Sequence, residues 1–270
     1  MSRADLPARS FVALMKHYVV DYTNSHDQSQ TERIMEEDYV LRMGEHVVVG
    51  RDGAYAAATR KQLDQFPGLV LTVHEIATNG ERLAMRFSEH GASVKHGGAK
   101  AAWGGIALYS WNGTRLTANR VEQDYHSRAR QLRDAVCNPV EPPAVAPWDV
   151  VAEPPDPEAE DEVRRWLNQG ALGATDGVTC DDDWTVGSHS CLLDQQRIEI
   201  LDLFSCGTKV AFHAAQYGTV RADFEIPRVA AGTPARMHIA GLVEARGGKL
   251  RGRLIRDRLG LVRSLQQRAR

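Results

Sequence analysis

The sequence predicts an α+β fold built twice: two cone-shaped barrels, each a curved antiparallel sheet wrapped around N-terminal helices. Three observations lead there. Helix-patterned segments come first and strand-patterned segments follow in a run, rather than alternating as in a parallel-sheet protein. Parts of the first half return in the second. Thr78 to Gly91 lies against Ser205 to Gly218 without a gap, and Asn119 to Leu132 lies against Arg253 to Leu265, placing Asp124 and Asp257 in the same setting. Units this long exceed the roughly 20 to 50 residues of a solenoid repeat, so the copies are domains. Between them, Asn138 to Glu162 holds seven of the eleven prolines and an acidic run, the composition of a semi-rigid linker. The expected division is residues 1–137, a linker over 138–157, and a shorter, divergent copy over 158–270.

The elements follow in order. From Ala8 to Thr23 the apolar positions Phe11, Leu14, Met15, Tyr18, Val19 and Tyr22 recur on one helix face. Thr31 to Glu37 suits a second short helix, and Tyr39 to Val49 reads as extended. Gly50-Arg-Asp-Gly53 turns into an alanine-rich helix, Ala54 to Phe66, that Pro67-Gly68 ends. Strand-like runs then cover Leu69 to Ala77, Arg82 to Glu89, Ala101 to Trp111 and Arg115 to Asp124. Asn79-Gly80 and Asn112-Gly113 make two of the connecting turns. In the second half Glu158 to Leu172 is a helix with Val163, Trp166, Leu167 and Ala171 inward. Asp181 to Asp183 and the run Trp184 to Leu193 take the place of the alanine-rich helix.

Composition narrows the function. A net charge of −2 gives no reason to expect nucleic acid. No apolar run approaches about 18 residues and no basic-then-apolar leader is visible, so a cytoplasmic protein that does not engage membranes is expected. The four cysteines form no CxxC pair, and neither a metal site nor a cofactor is expected.

Gly50-Arg-Asp-Gly53, Phe66-Pro67-Gly68-Leu69, the two Asn-Gly turns, and Asp124 followed by Gln131-Leu132 resemble the SnoaL-like polyketide cyclase branch of the NTF2-like superfamily. The resemblance spans nearly all of residues 8–132. It implies NTF2-like cones, a cofactor-free pocket for a hydrophobic substrate, and an aspartate as general acid/base. Relatives include ketosteroid isomerases, dehydratases and epoxide hydrolases, so the fold leaves the reaction open.

On a strand, residues two apart share a face, which sets Arg120, Glu122 and Asp124 together, as Arg253, Ile255 and Asp257 are in the copy. In an apolar cavity two carboxylates roughly 7 Å apart repel, and burial lifts a pKa toward the range useful for proton transfer. Asp124, Glu122 and His90 are therefore the candidate catalytic residues. Arg120, Trp103, Tyr109, Tyr22 and His96 are the candidate substrate contacts, and Asp257, Arg253 and His213 the second-domain counterparts. His90 and His96 flank a glycine-containing loop expected at the pocket mouth. Arg120 stands where the family usually has an aromatic residue, a departure that favours a more polar or anionic substrate than a typical cyclase takes, so a small hydrophobic, partly anionic substrate is expected. The plain alternative for Arg-x-Glu-x-Asp is a solvated ion-pair face. Two functions remain: acid/base chemistry (cyclase, isomerase, dehydratase, or epoxide opening), or a non-catalytic ligand-binding or scaffold protein. The two halves are expected to form an internal pseudo-dimer, with further self-association left open.

Overall fold

The computed structural model describes residues 10–169, 172, 177–183, 191–224 and 228–268. The predicted first helix runs as α1 (Phe11–Lys16) into a wider π-helical stretch, His17–Thr23. Ser10 caps it by accepting from the Ala13 amide at 3.2 Å. All six of its predicted inward residues are buried. The second helix is shorter than expected: α2 is only Thr31–Ile34, and Met35 already opens strand β1 (Met35–Met43). Gly44-Glu45 turns β1 into β2 (His46–Val49), so the single extended run expected there is a hairpin. A π-turn over Gly50–Tyr55 leads into α3 (Ala56–Gln65).

Strands β3 (Val70–Thr78), β4 (Arg82–Ser93), β5 (Ala99–Trp111) and β6 (Leu116–Gln123) form the meander. Gly80 and Gly113 take φ of 93° and 94° in its turns, a region closed to most side chains. In each turn the preceding Asn, Asn79 or Asn112, accepts two backbone N–H groups through its side-chain oxygen. The sheet order is β2-β1-β6-β5-β4-β3, and β1 lies parallel to β6 rather than antiparallel. Helix α4 (Tyr125–Asp134) follows β6.

The linker is not a free spacer. Ala144 and Glu153 donate backbone hydrogen bonds to Val73 and Thr78 on β3, and Glu141 forms a bidentate pair with Arg86. Asp156 caps α5 (Pro157–Asn168), where Pro157 takes the first helical position and Val163, Trp166 and Leu167 are buried. Ala171 and residues 184–190 lie outside the described residues. The sheet of β7 (Val178–Cys180), β8 (Leu193–Cys206), β9 (Lys209–Val220), β10 (Pro234–Arg246) and β11 (Lys249–Arg256) follows, then α6 (Arg258–Arg268). Its order, β7-β11-β10-β9-β8, with β7 parallel to β11, repeats that of the first sheet, with no equivalent of β2 among the described residues.

Each sheet has an apolar cluster on its concave side. Phe11, Met15, Tyr39, Leu83, Met85 and Tyr109 belong to the first, and Val163, Leu167, Phe212, Ile239 and Leu254 to the second. A third cluster joins the convex faces: Ala77, Ala84, Ile106 and Leu108 from one sheet meet Phe204, Ala211, Leu242 and Ile255 from the other. Polar contacts ring it. Arg82 grips Asp202 with two hydrogen bonds and lies 4.6 Å over the Phe204 ring, Lys209 meets Glu75 at 2.7 Å, and Asn79 donates to the Ser205 carbonyl. Both faces of each sheet are therefore covered, a fact that decides where every strand residue of the candidate site points.

Candidate active site

The pleat sorts the central strands into two faces. Phe87 and Glu89 of β4, Tyr109 of β5, and Asn119, Val121 and Gln123 of β6 face the helices, and with Tyr18, Tyr22, Tyr55 and Leu71 they enclose a cavity of ≈ 150 Å³. The tyrosines form one cluster. The Tyr18 and Tyr55 hydroxyls lie 3.5 Å apart, Tyr22 donates to Thr59 at 3.3 Å, and the Tyr18 and Tyr109 rings meet edge-on at 5.8 Å. Burial lifts the Tyr18 phenol to about 12 and raises those of Tyr55 and Tyr109 as well, so these hydroxyls stay protonated as donors.

Among the described residues Glu89 is the one carboxylate in this wall, 7% exposed. Gln62 of α3 donates to its Oε2 at 2.6 Å. Burial pushes its pKa up to about 7, against the Gln62 hydrogen bond and the attraction of Arg128. Arg128 lies over the Tyr125 ring at 4.0 Å and the Trp103 ring at 5.0 Å. Met43, Gln123 and Tyr125 border both this cavity and a wider cleft of ≈ 680 Å³ between the halves.

The expected site divides between the two faces. Tyr22 and Tyr109 line the cavity. Trp103 is packed beside it, its ring tilted against that of Phe66 with centroids 5.3 Å apart, and donates to Gln123 Oε1 at 2.8 Å. Arg120 and Glu122 do share a face, but it is the convex one. Arg120 lies 3.9 Å from Asp202, and Glu122 is 2.8 Å from His213 Nε2 and accepts from the Gly44 amide. The expectation that they look into the cone fails because the opposite face of β6 supplies Asn119, Val121 and Gln123. Asp124 is not in the cone either. It caps α4 by accepting from the Ser127 amide, and Arg258 binds both its oxygens at 2.7 and 2.8 Å. Burial pushes the Asp124 carboxyl up, against the pull of Arg258.

His90 is likewise misplaced by the sequence. Strand β4 continues to Ser93, so no loop begins at Gly91, and alternation turns His90 away from Glu89 and toward Thr72, 3.0 Å off. His96 shares a hydrogen bond with Ser93 at 2.9 Å. In the second half Asp257 caps α6 through the Gly260 amide and borders the cleft, Arg253 lies near Glu141 and Arg86, and His213 is buried against Glu122. Asp181 and Asp182 are not a substitute wall but ion-pair partners, of Arg256 and Arg258 and of Arg258 and Arg130. Arg256 and Arg258, at the end of the last strand and the start of the last helix, are thus held by these aspartates and Asp124.

Glu89 escapes a reading that looks for paired acids. Its signal is nonetheless present in the β4 pattern, where Leu83, Met85, Phe87 and Glu89 share one face and the apolar series ends in a charge.

Residues 16–119 match the model of the SnoaL-like domain. Over that span the first half carries a SnoaL-like domain. No curated protein matches the chain. Among solved structures, the SnoaL-like domain is similar to a candidate SnoaL-like polyketide cyclase from Jannaschia sp. CCS1, at 13% identity over 49% of this chain and 96% of that one, with a TM-score of 0.43. IdmH, described as a candidate polyketide cyclase from Streptomyces antibioticus, matches at 16% identity over 44% and 96%, TM-score 0.40. AclR, described as a candidate hydroxylase from Streptomyces galilaeus, matches at 18% over 45% and 94%, TM-score 0.40. The second sheet repeats the strand order of the SnoaL-like domain, as a tandem duplication requires, while the family match covers the first half alone.

Proposed function

We propose that the SnoaL-like domain binds a small hydrophobic carbonyl compound in its tyrosine-lined cavity and catalyses proton transfer on it, with Glu89 as the acid/base group. The observation that carries this reading is the buried Glu89 carboxyl, lifted to about 7 where it can gain or lose a proton at neutral pH, in the wall of that cavity. A space of ≈ 150 Å³ suits one benzene-sized ring, so the substrate class is a compound that inserts a single ring or ring-sized end.

The chemistry follows from the wall. The Glu89 carboxylate removes a proton from the carbon beside the carbonyl, and the developing enolate oxygen accepts hydrogen bonds from the phenols of Tyr18 and Tyr55. Their 3.5 Å separation is long for an O–H···O bond, so either hydroxyl can turn to the ligand with little loss. Asn119 Oδ1, buried without a partner in the same wall, accepts from a hydroxyl of the substrate. Return of the proton to a different carbon gives isomerisation. Attack of the enolate carbon on a second carbonyl gives cyclisation of a polyketide-type chain, and departure of a β-hydroxyl gives dehydration. The second half serves in this reading as a support that seals the back of the sheet.

The test is deuterium exchange at the carbon beside the carbonyl in a panel of aryl and cyclic ketones, followed by NMR. Exchange by the wild-type protein that Glu89→Gln abolishes supports the proposal. Saturable binding without exchange, equal in the two proteins, would instead identify a non-catalytic ligand-binding module.

A further inference from the structure

The convex face carries a second cluster that the cone chemistry does not use. Glu122 of β6, His213 of β9 and His238 of β10 each bring a ligand-type atom to one point between the halves, all within 4.8 Å of one another. All three residues are buried, at 1%, 1% and 5% exposure. His213 pairs in register with Ala240, so His238 is its diagonal neighbour on the same face, with ring centroids 5.5 Å apart.

Plain hydrogen bonding does not account for the arrangement. Glu122 Oε1 meets His213 Nε2 at 2.8 Å and His238 Nε2 meets Glu45 at 3.0 Å, which leaves Glu122 Oε2, His213 Nδ1 and His238 Nδ1 buried with no partner. Such orphaned atoms are costly inside a protein unless something else binds them. The duplication supplies a comparison within the chain. The Asp124 amide donates to Gly104 as the Asp257 amide donates to His238, so His238 occupies the place of Gly104. By the same repeat His213 and Glu122 correspond to Arg86 and Ile255. The pseudo-equivalent point thus holds an arginine, a glycine and an isoleucine, and the fold does not itself require the two histidines and the acid.

We propose that Glu122, His213 and His238 form a binding site for a divalent transition metal of the zinc class, bridging the two halves. Two imidazoles and one carboxylate suit Zn²⁺, Co²⁺, Ni²⁺ or Fe²⁺, whereas Mg²⁺ and Ca²⁺ favour oxygen ligands. Bonds of about 2.0–2.1 Å to the metal bring the ligand atoms to roughly 3.3 Å from one another, a closure that side-chain rotation supplies. Glu45 accepts from His238 Nε2 and so orients that ring, as outer carboxylates do around metals. The nearby guanidiniums are answered by acids: Arg236 by Glu45 at 3.0 Å and Arg120 by Asp202 at 3.9 Å. Glu122 and His238 border the ≈ 680 Å³ cleft, which gives the ion a path in and leaves a coordination position for water or a ligand, with Asp257 at the same rim.

The test uses the full chain without a polyhistidine tag, stripped with chelator and titrated with Zn²⁺ by calorimetry and with Co²⁺ by visible absorption. One equivalent bound with a Kd of about 1 μM or tighter, and Co²⁺ bands of low-coordinate character, are expected. His213→Ala and His238→Ala should each weaken Co²⁺ binding by at least about 100-fold, with His17→Ala, an exposed histidine, leaving it unchanged. Absence of saturable binding in the wild-type protein, or binding that His17→Ala weakens as much as the two site variants, overturns the proposal. Because Glu89 takes no part, loss of metal binding and loss of ketone exchange are separate results.

Discussion

Replacing Glu89 with Gln tests the central electrostatic claim without knowledge of any substrate. The substituted amide keeps the size of the carboxyl and its carbonyl oxygen still accepts from Gln62, but it does not titrate. In the wild-type protein burial lifts Glu89 from 4.5 to about 7. Between those values the folded chain keeps a proton that the unfolded chain has released, so stability falls as pH rises from 4.5 to 7 and levels off above. At roughly 1.4 kcal/mol per pH unit the loss amounts to about 3 kcal/mol. The stability of Glu89→Gln relative to wild type should therefore climb by about 3 kcal/mol between pH 4.5 and 7.5 and be flat beyond. Urea unfolding followed by tryptophan fluorescence at half-unit pH steps measures it. Glu122, which burial pushes up to about 8, titrates in both proteins and cancels in the difference. Parallel pH curves for the two proteins would mean that Glu89 ionises like an exposed acid, and the acid/base assignment would go with it.

Proton abstraction by Glu89 should follow the base form, so exchange at low ketone concentration is expected to rise with pH through a midpoint near 7 and then plateau; a profile flat from pH 5 to 9 would contradict this. Arg258→Met takes the arginine partner from the buried Asp124 carboxylate and one of two arginine partners from Asp182, and should cost about 3–5 kcal/mol by chemical unfolding, where an exposed arginine such as Arg133 should cost under about 1 kcal/mol. Val121→Phe fills part of the ≈ 150 Å³ cavity, and should weaken binding of a single-ring ligand by at least about 10-fold while the fold, by circular dichroism, is kept. Residues 1–137 expressed alone expose the convex cluster of Ala77, Ala84, Ile106 and Leu108, and should self-associate in sedimentation experiments where the full chain presents that face to its own second half.

The sequence by itself determined most element types, most turns and the likeness between the two halves. Helical spacing over Phe11 to Tyr22, the Asn-Gly turns and the gapless match of Thr78–Gly91 to Ser205–Gly218 are local signals, and they were legible because helix period, turn chemistry and repetition are written along the chain. Alternation also established that Arg120 and Glu122 share a face. What it left undetermined is which face looks into the cone. Both faces of β4, β5 and β6 are buried, one under helices and one under the second sheet, so the period-two pattern reads the same when the faces are exchanged. Only the packing of sheet against sheet assigned Glu89, Asn119 and Val121 to the cavity, set Asp124 against Arg258, and brought Glu122 to His213 and His238 across a distance in sequence that no spacing rule spans.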